Sequence, residues 1–314
     1  MPTIERDNWR VTYRWSEASG LRLGTADYQG IRILHAASVP FVFVNYQGGA
    51  YGPFSDKLRS ASRQVGVREI VRGFDLVVKY DLYGADYEYD HIWRFHDDGQ
   101  FGSVVVIHGP GEEIYGRHVY HIPFRFDLDL SGAAGDSFQR RGQFGAWQDV
   151  PLEGRHFPLL GGSVGFDWRV IDKATGKSAR VRAREGDGAE LWALRYKTPE
   201  AWGSWGGVQG NAPGSPGSVP AIYDDGQSVQ HADIVLWYIA HVGADDRVHA
   251  CGPWFALDGF PPPKHEAAGD HHHDVHGTHA REPVDNANAG AERQSSPRPR
   301  RRGGAGGTTR RHHG

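Results

Sequence analysis

The sequence contains one cysteine, Cys251, in a chain of 314 residues. A single thiol cannot form an intrachain disulfide, and a zinc site built from cysteine thiolates requires several of them. Cys251 is therefore predicted to be a small, buried apolar residue and not part of a redox or zinc site.

Long apolar segments are also missing. A membrane-spanning helix needs about 20 consecutive apolar residues, and no run in this sequence approaches that length. The first residues, Met1–Asn8, lack the basic and then apolar pattern of a secretory signal peptide. We therefore expect a cytoplasmic protein that does not enter a membrane.

Charge is divided unevenly along the chain. Of its 35 basic and 38 acidic residues, 9 and 6 respectively lie from residue 263 onward, so that this segment carries a net charge of +3 and residues 1–262 a net charge of −6. An acidic body of this kind does not suggest a nucleic-acid partner, and it modestly favours cationic substrates such as amines.

Helical periodicity is absent from every window of about 11 to 18 residues. Short runs rich in β-branched and aromatic residues follow one another instead, separated by Gly, Asp and Asn. The clearest of these runs are Trp9–Trp15, Ile31–His35, Phe41–Val44, Phe74–Tyr80, Ile92–Phe95, Ser103–Ile107 and Ile122–Leu130. Together with 43 glycines, which make the chain dense in turns, they predict an all-β fold, a large antiparallel β-sandwich.

Two segments depart from the strand pattern. Gly203–Gly217 combines Gly, Pro, Asn and Ser, which predicts a long loop. Residues 263–314 lose the hydrophobic periodicity and are rich in His, Arg, Gly and Pro, which predicts a disordered tail after a single sandwich domain of residues 1–262. Histidines of this tail bind transition metals weakly in any context, and we interpret them as part of a solvated segment. They include the cluster of His271, His272, His273, His276 and His279 and the terminal pair His312 and His313.

Two motifs stand out, Asp86-Tyr87-Glu88-Tyr89 and, further along, His118-Val119-Tyr120-His121. Other segments accompany them in a fixed order. These are Asn8–Arg10, Gly20–Leu23, Ile33–Ser38, Val44–Gly48, Phe124–Leu130, Leu191–Tyr196 and Asp233–Tyr238. The ordered set resembles the catalytic domain of the copper-containing amine oxidases, and it extends from about Asn8 to Phe260. The resemblance implies the oversized β-sandwich of that family.

The resemblance also implies a cofactor made from the protein itself. Tyr87 matches the tyrosine that copper and dioxygen oxidise to topaquinone in the family. Tyr46 matches a tyrosine that hydrogen-bonds the quinone, and Asp56 matches the carboxylate that removes the α-proton of the substrate amine. The sequence departs from the family next to the cofactor, because Asp86 replaces an asparagine.

Copper is well served by imidazole ligands. The resemblance places His118 on the first copper ligand, Tyr120 on the second and His241 on the third, with His249 as a substitute for His241. His121 is next to Tyr120, but in a regular strand its side chain points to the opposite face. A bulge near Pro123 would turn His121 back. The site is therefore either His118, His121 and His241, or a two-histidine site with Tyr120 in the gap.

A second metal position in the family is a peripheral calcium site. Its ligands correspond here to the carboxylates of Asp127, Asp129 and Asp233 and to the carbonyls of Leu128 and Ile234. Oxygen ligands of this kind suit Ca²⁺. The alternative is that these aspartates are the solvent-facing residues of half-exposed strands.

The resemblance implies oxidation of a primary amine by dioxygen, with release of aldehyde, ammonia and hydrogen peroxide, by a homodimer. The alternative is a catalytically silent sandwich that serves as a binding or scaffold module. Tyr120 separates the two, because loss of the second copper ligand would block formation of the quinone. A carbohydrate-binding sandwich is suggested only by the 10 tryptophans.

Overall fold

The computed structural model describes residues 1–16, 20–46, 54–56, 65–81, 88–108, 118–130, 132–142, 144–158, 166–198, 218–243 and 248–263. The predicted loop Gly203–Gly217, residues 264–314 of the predicted tail and the predicted cofactor residue Tyr87 lie outside the described residues. The proposed boundary between residues 262 and 263 stays a prediction.

Strands dominate the described chain, which confirms the predicted all-β fold. In chain order they are β1 (Thr3–Arg6), β2 (Trp9–Ser16), β3 (Gly20–Tyr28), β4 (Ile31–Ser38), β5 (Val42–Tyr46), β6 (Phe54–Asp56), β7 (Gly66–Ile70), β8 (Gly73–Asp81), β9 (Glu88–His96), β10 (Gln100–His108), β11 (His118–Leu128), β12 (Asp136–Arg141), β13 (Trp147–Asp149), β14 (Gly154–His156), β15 (Trp168–Asp172), β16 (Ser178–Arg182), β17 (Glu190–Arg195), β18 (Gln230–Ala232), β19 (Ile234–Gly243), β20 (His249–Cys251) and β21 (Trp254–Asp258). A short helix, α1 (Ser218–Ala221), precedes β18. It is far too short to cross a membrane, and no other described helix could do so.

The described strands form two antiparallel sheets. Sheet 1 has the order β1-β2-β3-β4-β11-β19-β17-β14, and β5 pairs with both β11 and β6. Sheet 2 has the order β13-β12-β15-β16-β21-β10-β9-β8-β7, with β18 beside β12 and β20 beside β10. β11 and β19, which carry most of the predicted metal ligands, are therefore central strands of sheet 1.

The main hydrophobic core lies between the two sheets. Phe126 of β11 packs on Phe255 of β21, with ring centroids 4.5 Å apart, and its ring also meets Trp93 of β9 edge-on. Strand alternation supplies this core: buried and half-buried residues alternate along β9, and Tyr89, Trp93 and Phe95 point inward. The predicted antiparallel sandwich is confirmed.

Sheet 1 also carries a second hydrophobic cluster on its outer face. Along β19, Leu236, Tyr238 and their alternate neighbours belong to the main core, whereas Val235, Trp237 and Ile239 belong to the outer cluster. This accounts for the continuous apolar sequence of β19, since a strand buried on both faces needs no polar alternation.

Candidate functional site

Two buried side chains of β11, His118 and Tyr120, lie on the inner face of sheet 1. They are two residues apart, so that strand alternation directs both to the same face. The Nε2 atom of His118 and the hydroxyl oxygen of Tyr120 share a hydrogen bond of 2.9 Å. The Tyr120 ring meets Tyr89 of sheet 2 edge-on, with centroids 6.3 Å apart. At the position that the resemblance gives to the second copper ligand, a tyrosine therefore bonds to the first.

His121 lies on the opposite, outer face of sheet 1. β11 pairs with β19 without a register shift from Val119 to Leu128, so that the bulge needed to turn His121 inward is absent. Pro123 does not disturb the strand, because it falls between the segments that pair with β5 and with β4. On that side β11 has no described neighbour at Pro123, and a sheet edge tolerates proline.

The predicted histidines are consequently divided between two faces and two sheets. A single site made of His118, His121 and His241 is not formed, because His118 faces the core and the other two face outward. The substitute candidate, His249, is in β20 of sheet 2, opposite Ile107. His249 points toward the space between the sheets, because its direct partner Ile107 belongs to the main core, so that His118 and His249 both face inward. On the outer face, His121 and His241 contact each other.

The meeting of His121 and His241 follows from strand register. The two residues are direct partners across β11 and β19, and their Nδ1 atoms are 2.6 Å apart. The Nε2 atom of His121 is 3.3 Å from the side-chain amide nitrogen of Asn45 in β5. With this amide donating to Nε2, His121 carries its proton on Nδ1 and donates it to Nδ1 of His241. The three side chains thus form a continuous hydrogen-bonded row on the outer face. We call His121 and His241 the outer histidine pair.

Burial keeps the outer histidine pair neutral near pH 7. Burial, together with a smaller electrostatic contribution from His241, lowers the pKa of His121 to about 4. Burial also lowers the pKa of His241, where Glu190 opposes the shift and Arg155 adds to it. Glu190 itself accepts a hydrogen bond of 3.1 Å from the indole nitrogen of Trp192 and lies 3.4 Å from Arg155.

The inner face of sheet 2 holds a histidine that the sequence analysis did not single out. His91 of β9 is fully buried and shares a hydrogen bond of 3.0 Å with the hydroxyl of Ser103 in β10. Burial lowers the pKa of His91 to about 3. The signal in the sequence was its place in the alternation Tyr89, His91, Trp93, which marks a core position. We interpret His91 as a neutral, hydrogen-bonded core residue.

The predicted catalytic residues are described only through their backbones. Tyr46 ends β5 directly opposite His118, whereas Asp56 ends β6 opposite Val42 at the other end of β5. Four residues of strand, roughly 13 Å, therefore separate Tyr46 from Val42, the residue that Asp56 faces. The side chains of both lie outside the described part of the structure, so that their roles stay predictions, as does the role of Tyr87.

The three carboxylates predicted to bind calcium are close enough to interact electrostatically. Burial, together with the charges of Asp127 and Asp129, raises the pKa of Asp233 to about 6. Burial likewise raises the pKa of Asp127, although Arg125, whose guanidinium lies 3.2 Å from Asp127, opposes the shift. Both partners of that ion pair are buried, which does not fit the alternative of solvent-facing aspartates at this position.

A fourth carboxylate, Asp136 of β12, adjoins this group and was not predicted. Burial raises its pKa to about 8, with contributions from Asp129 and Asp233, although its Oδ2 atom accepts a hydrogen bond of 3.1 Å from the backbone of Leu130. Its Oδ1 atom and Oδ1 of Asp129 are buried without a described hydrogen-bond partner. These oxygens suit a hard cation, yet no three carboxylates or histidines of the described residues are arranged to hold a metal ion.

Comparisons with known proteins point to one fold. No protein-family model matches the chain, and no curated protein matches it. Among solved structures, it is similar to a lysyl oxidase from Pichia pastoris, with a TM-score of 0.62 and 12% identity over 80% of this chain and 51% of that chain. It is also similar to a copper-containing benzylamine oxidase from Hansenula polymorpha, with a TM-score of 0.58 and 13% identity over 82% of this chain and 59% of that chain. An amine oxidase from Aspergillus nidulans gives a TM-score of 0.57 and 12% identity, over 81% of this chain and 51% of that chain.

The chain has the fold of the copper amine oxidases. It spans between half and three fifths of the length of these structures, and identities this low show the fold alone. Of the three imidazoles that the resemblance predicts around copper, the described part of sheet 1 has that of His118 on its inner face and those of His121 and His241 on its outer face. Tyr120 occupies the second predicted position and bonds to His118, and His241 points away from both. The described residues therefore do not fit a copper ion bound by three histidines.

Proposed function

We propose that this chain is an amine-oxidase-type sandwich that serves as a binding or scaffold module and does not carry out copper-dependent amine oxidation. The observation that carries the proposal is the hydrogen bond between His118 and Tyr120 on the inner face of sheet 1. It engages the Nε2 atom of His118, and it places a phenol where the resemblance predicts a second imidazole.

The chemistry of the phenol supports the proposal. Metal ligands bind in their deprotonated or neutral lone-pair forms, which imidazole offers near pH 7. A phenol has an ordinary pKa of about 10, so that Tyr120 would have to lose its proton before it could replace an imidazole as an equivalent ligand. Without copper held beside Tyr87, dioxygen is not activated there and the tyrosine stays a tyrosine.

The second candidate function is oxidation of a primary amine through a topaquinone at Tyr87. It is favoured by the ordered motifs and the shared fold, and it carries with it the predicted roles of Tyr46 and Asp56. The predicted calcium ion and the predicted homodimer are compatible with both candidates, since neither depends on the quinone.

Hydrogen peroxide production separates the two candidates. The full chain is incubated with Cu(II) in air, freed of excess metal and offered aliphatic and aromatic primary amines. We expect no peroxide above that of the Tyr87→Phe variant, which cannot form the quinone. Amine-dependent peroxide from the wild type that is lost in Tyr87→Phe would contradict the proposal and establish the oxidase.

A further inference from the structure

The outer histidine pair lies on two central strands of sheet 1. His121 and His241 are register partners in the two central strands, and each strand has a further neighbour on its other side near the pair. Phe43 lies beside the pair, with its ring centroid 6.2 Å from that of His121. Two imidazoles on directly paired residues of adjacent strands keep their separation at little entropic cost, which is the condition for a preorganised site.

The two imidazoles present the same atom, Nδ1, toward one point. Their rings are inclined by 72° with centroids 4.9 Å apart, so that they converge without stacking. Two nitrogens bound to one divalent transition metal at about 2.0–2.1 Å lie roughly 2.9 to 3.3 Å apart. The observed separation of 2.6 Å is a few tenths of an ångström shorter. Small side-chain rotations would open the pair enough to admit an ion.

The surroundings of the pair match those of histidine ligands. A histidine that binds a metal through one ring nitrogen usually donates a hydrogen bond from the N–H of the other ring nitrogen to an oxygen acceptor, and this bond fixes the orientation of the ring. Asn45 lies 3.3 Å from Nε2 of His121, and its amide can present either its nitrogen or its oxygen there. Glu190 is on the same face as His241, opposite Ile239, and supplies a negative charge near the second imidazole.

We propose that His121 and His241 form a two-imidazole site for a divalent transition metal of the Zn²⁺ type on the outer face of sheet 1, with Asn45 orienting His121. Both histidines are half-buried, so that an ion can reach them and water can complete its coordination. The site is separate from the inner face that carries His118 and Tyr120, and it does not depend on whether the chain is an oxidase.

Thermal unfolding with and without Zn²⁺ tests the site in the full chain. A site that exists only in the folded protein raises the unfolding midpoint when it is filled. At a Zn²⁺ concentration about 100 times the dissociation constant, we expect a rise of at least about 5 °C for the wild type. The rise should be lost in His121→Asn and in His241→Asn. Because each variant is compared with itself, with and without metal, any intrinsic loss of stability does not affect the readout.

His231→Asn is the matched control. His231 is exposed in β18 of sheet 2, and it has a φ of 51°, which asparagine also tolerates. This variant should keep the full response to Zn²⁺. The histidines of residues 271–313 are present in all four proteins, so that their binding of Zn²⁺ is common to every comparison. No rise in the wild type, or an equal rise in both pair variants, would overturn the proposal.

Discussion

Substitution of Tyr120 by phenylalanine isolates the hydrogen bond on which the proposed function depends. The change removes one hydroxyl and keeps the ring that packs on Tyr89, so that it opens no cavity of consequence. Among the described residues, the hydroxyl is lost from a buried hydrogen bond of 2.9 Å to His118, which contributes about 0.5–1.5 kcal/mol. For a domain of this size, 1 kcal/mol corresponds to about 2–4 °C, so that the unfolding midpoint should fall by roughly 1–6 °C.

Chemical denaturation in urea, followed by tryptophan fluorescence, measures this difference in the free energy of unfolding. Tyr13→Phe is the matched control, because Tyr13 is half-buried against the same core and its hydroxyl makes no hydrogen bond to the described residues. The control should stay within about 0.5 kcal/mol of the wild type. Equal effects of the two substitutions would refute the view that Tyr120 and His118 form a stabilising pair in the core.

Two further predictions concern the carboxylates at the end of β11. Asp136→Asn should raise the free energy of unfolding by up to about 4 kcal/mol at pH 7 and leave it nearly unchanged at pH 4, because a folded-state pKa of about 8 makes the wild type lose stability as the pH rises from about 4 to about 8. Urea denaturation across that pH range measures the effect, and parallel pH profiles of variant and wild type would contradict it. If the predicted calcium site exists, Ca²⁺ should raise the unfolding midpoint of the wild type. Asp129→Asn, which removes one predicted ligand, should reduce that rise. An unfolding midpoint of the wild type that does not change in millimolar Ca²⁺ would contradict the predicted site.

Much of the fold could be predicted because the pattern of apolar and polar residues in each strand indicates which of its faces are buried. The run Ile92–Phe95 shows the alternation of a strand with one buried face, and the apolar run of β19 shows a strand buried on both. Local pattern therefore sufficed for the all-β class and for most strands. It did not give the four-residue helix α1, which is too short to have a periodicity.

The arrangement of the candidate site could not be predicted in the same way, because it depends on pairing between distant segments. His121 and His241 are 120 residues apart, and only the register of β11 against β19 brings them together. Pro123 suggested a bulge, but whether a proline bends a strand depends on which neighbour it has at that point. Asp136 lies in sheet 2 and adjoins the carboxylates of Asp129 and Asp233. No local sequence motif predicts this proximity.

We propose that Tyr87 is not converted to a quinone, because in the described part of sheet 1 a phenol, Tyr120, lies beside His118 where the resemblance predicts a second imidazole. Mass spectrometry of the peptide that contains Tyr87 tests this most directly, after the purified apoprotein has been aerated with Cu(II) and treated with phenylhydrazine. The readout does not depend on copper bound elsewhere, for example by the histidines of residues 271–313. We expect Tyr87 to be an unmodified tyrosine and the protein to show no visible absorption band. A phenylhydrazine adduct on Tyr87, together with a quinone band, would contradict it.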